Sequence, residues 1–424
     1  MLINRNYAKL WFGQTISVVG DEVFGTTLLI WIGYVLLAGK GYAPAVSSVV
    51  LIVTSIVIIF LGPIAGVFVD RWEARRTMLR MDLIRAALIS SLIVVSVVTL
   101  PLPVTLTIIA VVVALDTAAS QFFNPSRIVL LRDIVPEEMQ GRASGYAQSA
   151  GALASIIGPP LAAPLLVSVG VPWAITVNAL SFLVSYLLIR LIKVDPAAVP
   201  PAKPREESAG VWREFVSGMR FIGGHSLVRA VLILAVVVQL GIGAFVALDL
   251  YFVAENLNAE PKWFGVLGGA FGVGAVIGSF TGGFLGDRLG HVRVIVGGFV
   301  LSGAFLFAYS RLESVWPALA VIAGLGYCIG ALNTALAPVL MRVVPRDLLG
   351  RVFAVIMPAN RLGAIVSIAV TSVLVSTVLK DLDTTLFGMH LGRIDAVFGC
   401  AALIVTASGI YFWFAARSLP DSIE

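Results

Sequence analysis

The sequence predicts an all-α membrane protein of twelve transmembrane helices in two six-helix repeats, and three observations support this fold class. Of 424 residues, 59% are hydrophobic and 12% are charged, whereas soluble domains carry about 25% charged residues. Apolar runs near the ~20 residues that cross a bilayer as a helix recur along the chain, with room for about twelve. A segment in the first half of the chain also returns in the second half. This composition excludes a soluble globular protein, a collagen, a coiled coil and a disordered chain.

Each apolar run ends at charges, prolines or glycine clusters, which sets the expected helix boundaries. Helices are predicted over residues 10–37, 45–69, 77–100, 103–126, 145–169, 172–192, 228–252, 263–286, 293–310, 316–340, 352–379 and 394–416.

One segment of the sequence occurs twice. Residues 135–142 (VPEEMQGR) return as residues 344–351 (VPRDLLGR), 209 positions later. We therefore expect one six-helix half at 1–192 and a second at 223–424. The cytoplasmic linker at 193–222 contains four prolines, and residues 212–222 could form a short interfacial helix. Two parallel repeats with a substrate site between them near the bilayer midplane are a common plan of secondary transporters.

The basic residues indicate the orientation. With the N-terminus inside, 22 of the 29 Lys and Arg residues fall in cytoplasmic segments and five fall outside. This asymmetry predicts a multi-pass protein of a bacterial-type plasma (inner) membrane with both termini cytoplasmic. The net charge of +5 is then explained by the bases that orient the protein in the membrane, so no nucleic-acid partner is expected. The first apolar run carries Asp21 and Glu22 at its centre, which favours a retained helix over a cleaved signal peptide.

Carboxylates within spans are the main candidates for function, because buried ionisable groups are costly. Asp21 lies 11 residues beyond Leu10, or ~16 Å along a helix, close to the middle of a ~30 Å core. Glu22 adjoins it, and Asp116 lies ~18 Å into the fourth span. Such acids can bind and release a proton, so one of them could couple transport to protons. The alternative is a permanently paired structural acid.

Further polar residues complete the candidate site. Arg361, ~15 Å deep in the second half, could pair with one of these acids, hold an anionic substrate group or form a fixed salt bridge. Asp249 is expected at the outer rim as a gate residue. Uncharged candidates for the cavity wall are Gln14, Gln148, Asn178, Gln239, Asn333 and Asn360, although each could instead form a hydrogen bond between helices.

The loops after the second and eighth spans share a motif. Gly66, Asp70, Arg71, Arg75 and Arg76 stand in the first copy, and Gly283, Asp287 and Arg288 in the second. Glycine lets helices approach, and an Asp–Arg pair at a helix end can bind a neighbouring terminus and release it. We expect a gating latch, joined by an i, i+3 pair of Asp82 and Arg85. The alternative is that these basic residues only fix the orientation of the helices in the membrane and have no gating role.

These loops resemble the signature loop of the major facilitator superfamily, although Glu73 replaces a glycine in the first copy. The opening residues 10–21 resemble the twelve-span drug:proton antiporter branch that includes macrolide and enterobactin exporters. Gly145, Gly158 and Pro159 in the fifth span are similar to the antiporter motif of that branch, with alanines at three other positions. The resemblance implies the major facilitator fold and efflux, and a kinked helix without a directional role is the alternative reading of Gly158-Pro159.

The sequence therefore predicts a secondary transporter that exports a small amphipathic organic molecule, such as a drug, macrolide or siderophore-like compound, by proton antiport and alternating access. No enzyme motif or metal-ligand cluster is present, so neither catalysis nor a cofactor is expected, and the proton gradient supplies the energy. The expected partners are the substrate, protons and the lipid bilayer, and a monomer is expected. Alternatives are a proton-coupled uptake symporter and a non-transporting receptor or scaffold with this fold.

Overall fold

The computed structural model describes residues 3–69, 72–193, 219–220, 223–224, 226–343, 346–386 and 389–416. Most of the predicted linker, and with it the expected interfacial helix, lies outside these residues. So do Asp70 and Arg71.

Twelve long helices occupy the described residues. They are α1 Arg5–Ile30, which continues as a π-helical turn Trp31–Leu36, α2 Ala43–Val69, α3 Ala74–Val97, α4 Leu102–Ile134, α5 Gln140–Val169, α6 Val171–Arg190, α7 Ser226–Glu255, α8 Lys262–Leu289, α9 His291–Tyr309, α10 Val315–Val343, α11 Arg346–Ser376 and α12 Arg393–Ala416. A short 3-10 turn, Glu137–Met139, precedes α5. The predicted all-α membrane fold is confirmed, and each predicted helix is present.

Eleven segments of the described chain are long and apolar enough to cross a membrane. The exception among the long helices is α3, whose sequence carries Arg75, Arg76, Arg80, Asp82 and Arg85. Helix α3 packs against α4 and α6. Arg76 and Arg80 are exposed, whereas Asp82 and Arg85 are buried and place charge inside the bundle. Among the described residues, the one departure from an all-helical chain is a small antiparallel hairpin before α12, β1 Asp383–Leu386 with β2 Met389–Gly392, which the sequence did not predict.

The chain divides into two compact units. Unit 1 contains residues 1–39, 49–204 and 261–269, and unit 2 contains residues 40–48, 205–260 and 270–424. Two short segments, the first turns of α2 and of α8, therefore group with the unit formed mainly by the other half of the sequence. The Ser47 and Tyr251 hydroxyls, which lie 2.6 Å apart, and the hydrogen bond between Ser48 and Ser372 attach the first turn of α2 within unit 2.

The two units repeat one packing scheme. In unit 1 the main helix pairs are α1 with α5, α1 with α6, α3 with α4, and α3 with α6. In unit 2 they are α7 with α11, α7 with α12, α9 with α10, and α9 with α12. Every pair of the second set is a pair of the first displaced by six helices. This is the predicted repeat expressed as tertiary structure.

Single glycines make two of the sharpest connections. Gly170 joins α5 to α6 and Gly290 joins α8 to α9, each with φ of 89°, a backbone conformation that residues with a side chain rarely adopt. Gly290 is the glycine that closes the second copy of the loop motif. In the first copy Glu73 takes this place with φ of −67°, so this loop turns without a left-handed residue. The imperfect motif therefore corresponds to a different local backbone.

Candidate functional site

Three charged side chains of unit 1 meet inside the helix bundle. The Arg85 Nε donates to Asp116 Oδ1 at 3.0 Å, and Nη2 donates to Asp21 Oδ1 and Oδ2 at 3.1 and 3.2 Å. Nη2 also lies 3.3 Å from Asp116 Oδ2. The guanidinium carbon stands 4.0 Å from the centre of the Phe182 ring. We call Asp21, Arg85 and Asp116 the charge cluster.

The cluster draws one residue from each of three helices. Asp21 lies on α1, Arg85 on α3 and Asp116 on α4. Arg85 is 11 residues past the start of α3, or ~16 Å along the helix, which is near the depth expected of the two acids. Arginine suits this position because its planar fork can serve two carboxylates at once.

Neighbouring contacts hold α1 in place. The Tyr7 hydroxyl donates to the Ala143 carbonyl at 2.8 Å, and Trp11 Nε1 donates to the Tyr146 carbonyl at 2.8 Å, which ties α1 to α5. Gln14 Nε2 donates to Ser185 Oγ at 3.3 Å and ties α1 to α6. These contacts position Asp21 against Arg85.

The cluster borders a cavity of about 970 Å³ that lies wholly within unit 1. Pockets for small molecules commonly span about 300–1,000 Å³, so this volume suits an organic molecule of drug size. The cluster residues have different access, since the side chain of Asp21 is 36% exposed, that of Asp116 13% and that of Arg85 8%. Proton or solvent contact with the cluster is therefore easiest at Asp21.

The cavity wall is mainly apolar with a few charged groups. Most of its apolar side chains come from α1, α2 and α4, for example Leu28, Leu51, Val113 and Phe123, and α5 and α8 add a few more. Glu22, Arg127, Gln14 and Gln148 add polar groups. Glu22 makes no salt bridge with any residue that the structure describes. An amphipathic molecule would find both apolar contacts and a free carboxylate on this wall.

Comparison with known proteins decides the family. The family model described as transmembrane secretion effector matches residues 2–397.

The chain belongs to the transmembrane secretion effector family of major facilitator transporters.

Similar proteins agree with this assignment. An uncharacterized MFS-type transporter of Bacillus subtilis (strain 168), YkuC, is 23% identical over 91% of this chain and 89% of its own. Macrolide efflux protein A of Streptococcus pyogenes is 22% identical over 71% of each chain. Multidrug resistance protein MdtG of Enterobacter lignolyticus (strain SCF1) is 25% identical over 55% of this chain and 54% of its own.

Solved structures show the same fold. A bacterial homologue of the iron transporter ferroportin, in its inward-facing state, has a TM-score of 0.74 and 13% identity, with 98% of this chain and 99% of that chain covered. The nucleoside transporter NupG has a TM-score of 0.73 and 12% identity, with 97% and 99% covered. The major facilitator fold is thereby confirmed. The protein is a multi-pass membrane transporter with efflux relatives, and it is not an enzyme.

The structure corrects the expected partner of Arg85. The sequence placed Asp82 and Arg85 as an ion pair in the latch, but Arg85 binds Asp21 and Asp116 instead. Asp82 is fully buried, and neither of its oxygens has a hydrogen-bond partner among the described residues. Residues three apart on a helix are near enough to pair. The two acids from other helices nevertheless occupy the guanidinium in this arrangement.

Asp249 is buried near the C-terminal end of α7. It is 4% exposed inside unit 2, where its Oδ1 accepts a hydrogen bond from the Tyr309 hydroxyl at 2.7 Å. Phe252 and Phe398 pack around Tyr309, with ring centroids 4.7 and 6.2 Å away. Tyr309 is the last residue of α9, so this contact lies at the helix end that the sequence places outside, and the gate role of Asp249 stays a prediction.

The residues of the two loops have separate surroundings. Arg75 donates to the carbonyls of Ile189 and Arg190 at 3.3 and 2.6 Å, at the end of α6. Arg76 pairs with Glu73 on the surface. Arg288 lies 4.2 Å from the Phe284 ring centre. A role of Arg75, Arg76, Asp287 and Arg288 in gating stays a prediction.

The glycines of the motifs differ in how closely a neighbouring helix approaches them. A side chain on Gly283 would meet only the Thr334 methyl at 3.8 Å, so this residue is not the point of close helix approach. That approach is at Gly274 and Gly278, where a side chain would overlap the backbone of α10. Gly158 packs directly against Glu22 of α1, whereas Gly145 has open space beside it. Helix α5 continues through Pro159.

The uncharged candidates divide into two groups. Gln14 and Gln148 line the cavity, as predicted. Asn178 is fully buried beside Gly20 and Ser181, between α1 and α6. In unit 2, Gln239 donates to the Asn360 carbonyl at 3.4 Å and links α7 to α11. Asn333 and Arg361 are exposed, and the proposed pairing of Arg361 with an acid stays a prediction.

Sequence reasoning missed two participants. Phe182 forms the stacking surface for Arg85, and Arg127 lines the cavity. The sequence predicts that the fourth helix ends at residue 126, which puts Arg127 among the cytoplasmic bases. The helix continues to Ile134, and Arg127 lies on the cavity wall. No local signal marks Phe182, because its role depends on which face of α6 meets α3.

Proposed function

We propose that this transporter exports a small amphipathic organic molecule across a bacterial inner membrane in exchange for protons, and that Asp21 is the residue through which the proton enters the cycle. The chain works as a monomer in this proposal, since one chain contains both six-helix repeats. The charge cluster is the observation that carries the proposal.

The charge balance of the cluster explains why protons would matter. Two ionised carboxylates share one guanidinium, which leaves one negative charge uncompensated inside the bundle. An unbalanced charge in a low-dielectric environment is costly. One proton on Asp21 removes the imbalance. Both acids line the cavity, and Asp21 is the better acceptor because it has the larger exposed fraction.

The same balance links proton binding to substrate release. A positively charged group of a substrate in the cavity would compensate the cluster or Glu22 as a proton does. Substrate and proton then compete for the same negative charge, and competition of this kind is what antiport requires. The apolar wall would accommodate the rest of an amphipathic molecule. The macrolide efflux and multidrug resistance relatives support export as the direction.

Alternating access would complete the cycle. In this mechanism the two repeats rock so that the cavity opens to one side of the membrane at a time. Protonation of Asp21 weakens its hold on Arg85, and this changes the contact between α1 and α3. The proton gradient supplies the energy, so the proposal needs no cofactor.

The test uses purified protein in liposomes with an imposed proton gradient and two probe substrates, erythromycin and ethidium. We expect gradient-driven movement of at least one probe, identified beforehand in a drug, dye and siderophore screen of cells that lack their own exporters. Asp21→Asn should abolish movement against a concentration gradient and preserve passive exchange of the probe, because an amide cannot carry the proton.

The matched control is Asp381→Asn, an exposed acid in the turn before β1. It should transport like the wild type. Undiminished uphill export by Asp21→Asn, Glu22→Gln and Asp116→Asn, separately and together, would refute proton coupling at these residues. Accumulation of the probe inside cells, in place of export, would favour the uptake symporter.

A further inference from the structure

Asp82 differs from Asp21 and Asp116 because it makes no salt bridge with any residue that the structure describes. It is 0% exposed, and both carboxylate oxygens lack a hydrogen-bond partner among the described residues. Asp21 and Asp116, by contrast, each bind Arg85. The transport scheme proposed above makes no use of Asp82, so its burial has to be explained separately.

The register of α3 against α6 shows what surrounds Asp82. The two helices run antiparallel, since Arg75 contacts the carbonyls at the end of α6 while Arg85 lies over Phe182. Asp82 precedes Arg85 by one turn of α3, and Ser185 follows Phe182 by one turn of α6. Asp82 and Ser185 therefore lie close together. The uncharged residues Phe182 and Ser185 are therefore the ones that α6 presents at this level.

The charged groups near Asp82 come from three helices. Arg85 on its own helix and Asp21 on α1 are close enough to interact with it electrostatically, and Asp116 of α4 is reached through the guanidinium. On its other side, Ser185 accepts a hydrogen bond from Gln14, which lines the cavity. Asp82 thus lies between the charge cluster and a pair of neutral polar side chains.

The cost of charge decides which form of Asp82 fits this place. An ionised carboxylate without hydrogen bonds or a counter-ion is far more costly to bury than a neutral carboxylic acid. Arg85 is the available counter-ion, but its Nε and Nη2 groups bind Asp116 and Asp21. The described arrangement therefore suits a neutral Asp82.

We infer that Asp82 is a second proton-carrying residue of the transport cycle, which holds a proton while Arg85 binds Asp21 and releases that proton when Arg85 turns to Asp82. This inference rests on the proposed proton antiport. Nothing but side-chain rotation is needed for the exchange of partners, because Asp82 and Arg85 are i, i+3 neighbours on α3.

The step balances in protons and charge. A proton from the cavity binds the Asp21 carboxylate, and Arg85 leaves the neutral acid. Once the cavity is open to the other side of the membrane, the O–H bond of Asp82 breaks, its proton passes by way of Ser185 and Gln14 to water in the cavity, and the new carboxylate takes the guanidinium. Asp116 keeps its contact with Arg85 throughout. One proton enters and one leaves, and the total charge of the four side chains is the same before and after.

The first measurement is infrared spectroscopy of the purified protein in lipid nanodiscs at neutral pH, with no substrate present. We expect a carboxylic-acid C=O band that is lost in Asp82→Asn and retained in Asp381→Asn, the exposed control. Ser185→Ala should shift the frequency of this band, because it removes the neighbouring hydroxyl. Absence of a band that depends on Asp82 in the wild type would overturn the inference.

The second measurement asks whether Asp82 ionises during transport. Asparagine has the shape of the neutral acid, so Asp82→Asn should fold and should bind the probe with unchanged affinity. It should lose gradient-driven movement of the probe. Transport by Asp82→Asn at the wild-type rate would overturn the inference, since the acid would then be only a structural group.

The two proposals fail in distinguishable ways. If the wild type moves no probe in response to a proton gradient but the infrared band is present, the proposed antiport is wrong and only the neutral state of Asp82 stands. If the wild type transports and Asp82→Asn does too, the antiport stands and the role of Asp82 is wrong.

Discussion

Removal of the guanidinium from the charge cluster gives the sharpest test of its geometry. Arg85→Gln would leave Asp21 and Asp116 facing each other without a counter-ion. Loss of one partner of a buried ion pair costs about 3–5 kcal/mol. Asp21 is 36% exposed and can regain water, which places the expected loss near the lower end of that range. The contact with Phe182 adds about 0.5–2 kcal/mol to the loss.

We therefore expect Arg85→Gln to lower the free energy of unfolding by about 3.5–5 kcal/mol, measured by titration with SDS in mixed micelles. The control is Arg80→Gln on the same helix, where the side chain is exposed, and it should change stability by less than about 0.5 kcal/mol. Arg85→Lys should lie between these values, since one ammonium group cannot serve both carboxylates with the same geometry.

A second substitution shows whether charge imbalance is the cause. Asp116→Asn added to Arg85→Gln removes one of the two unpaired acids, and we expect it to recover about 2 kcal/mol, so that the double variant is more stable than the sum of the two single variants predicts. If the two changes are instead additive, or if Arg85→Gln is as stable as Arg80→Gln, the three side chains do not form the compensated group described here.

Three further outcomes are expected. A reporter domain fused at Pro201 should be cytoplasmic and one at Gly41 external, because the basic residues are so unequally distributed between the two sides. Accessibility labelling of cells measures this, and an external Pro201 reporter would contradict the orientation. Gly274→Ala should destabilise the protein by about 1–3 kcal/mol through overlap with the backbone of α10, while Gly283→Ala should be tolerated in the same SDS titration. Asp287→Asn should slow exchange in liposomes with little change in probe affinity, and a large loss of affinity would contradict a gating role.

The amino-acid sequence by itself determined the helices and their repetition. Apolar runs of spanning length, interrupted by charges, prolines and glycines, are local features, and the structure places a helix on each of them. The repeated segment at 135–142 and 344–351 likewise indicated two halves, and the same helix pairs recur in both units. The β1–β2 hairpin escaped prediction because four-residue strands leave little periodicity to detect.

The sequence also predicted that the acids of α1 and α4 lie at a similar level, because a helix rises ~1.5 Å per residue. Asp21 and Asp116 were expected near the middle of the membrane, and both belong to the charge cluster.

What only the tertiary structure decided is which side chains meet. Spacing along a helix gives depth but not the neighbour that each face of the helix contacts. Arg85 has Asp82 one turn away, yet it binds acids of α1 and α4, because the packing of α3 turns the guanidinium toward those helices. For the same reason Gly283 fits the motif while Gly274 makes the close approach. Partner choice in a helix bundle depends on the rotation and neighbours of every helix, and these are set by the packing of the whole unit.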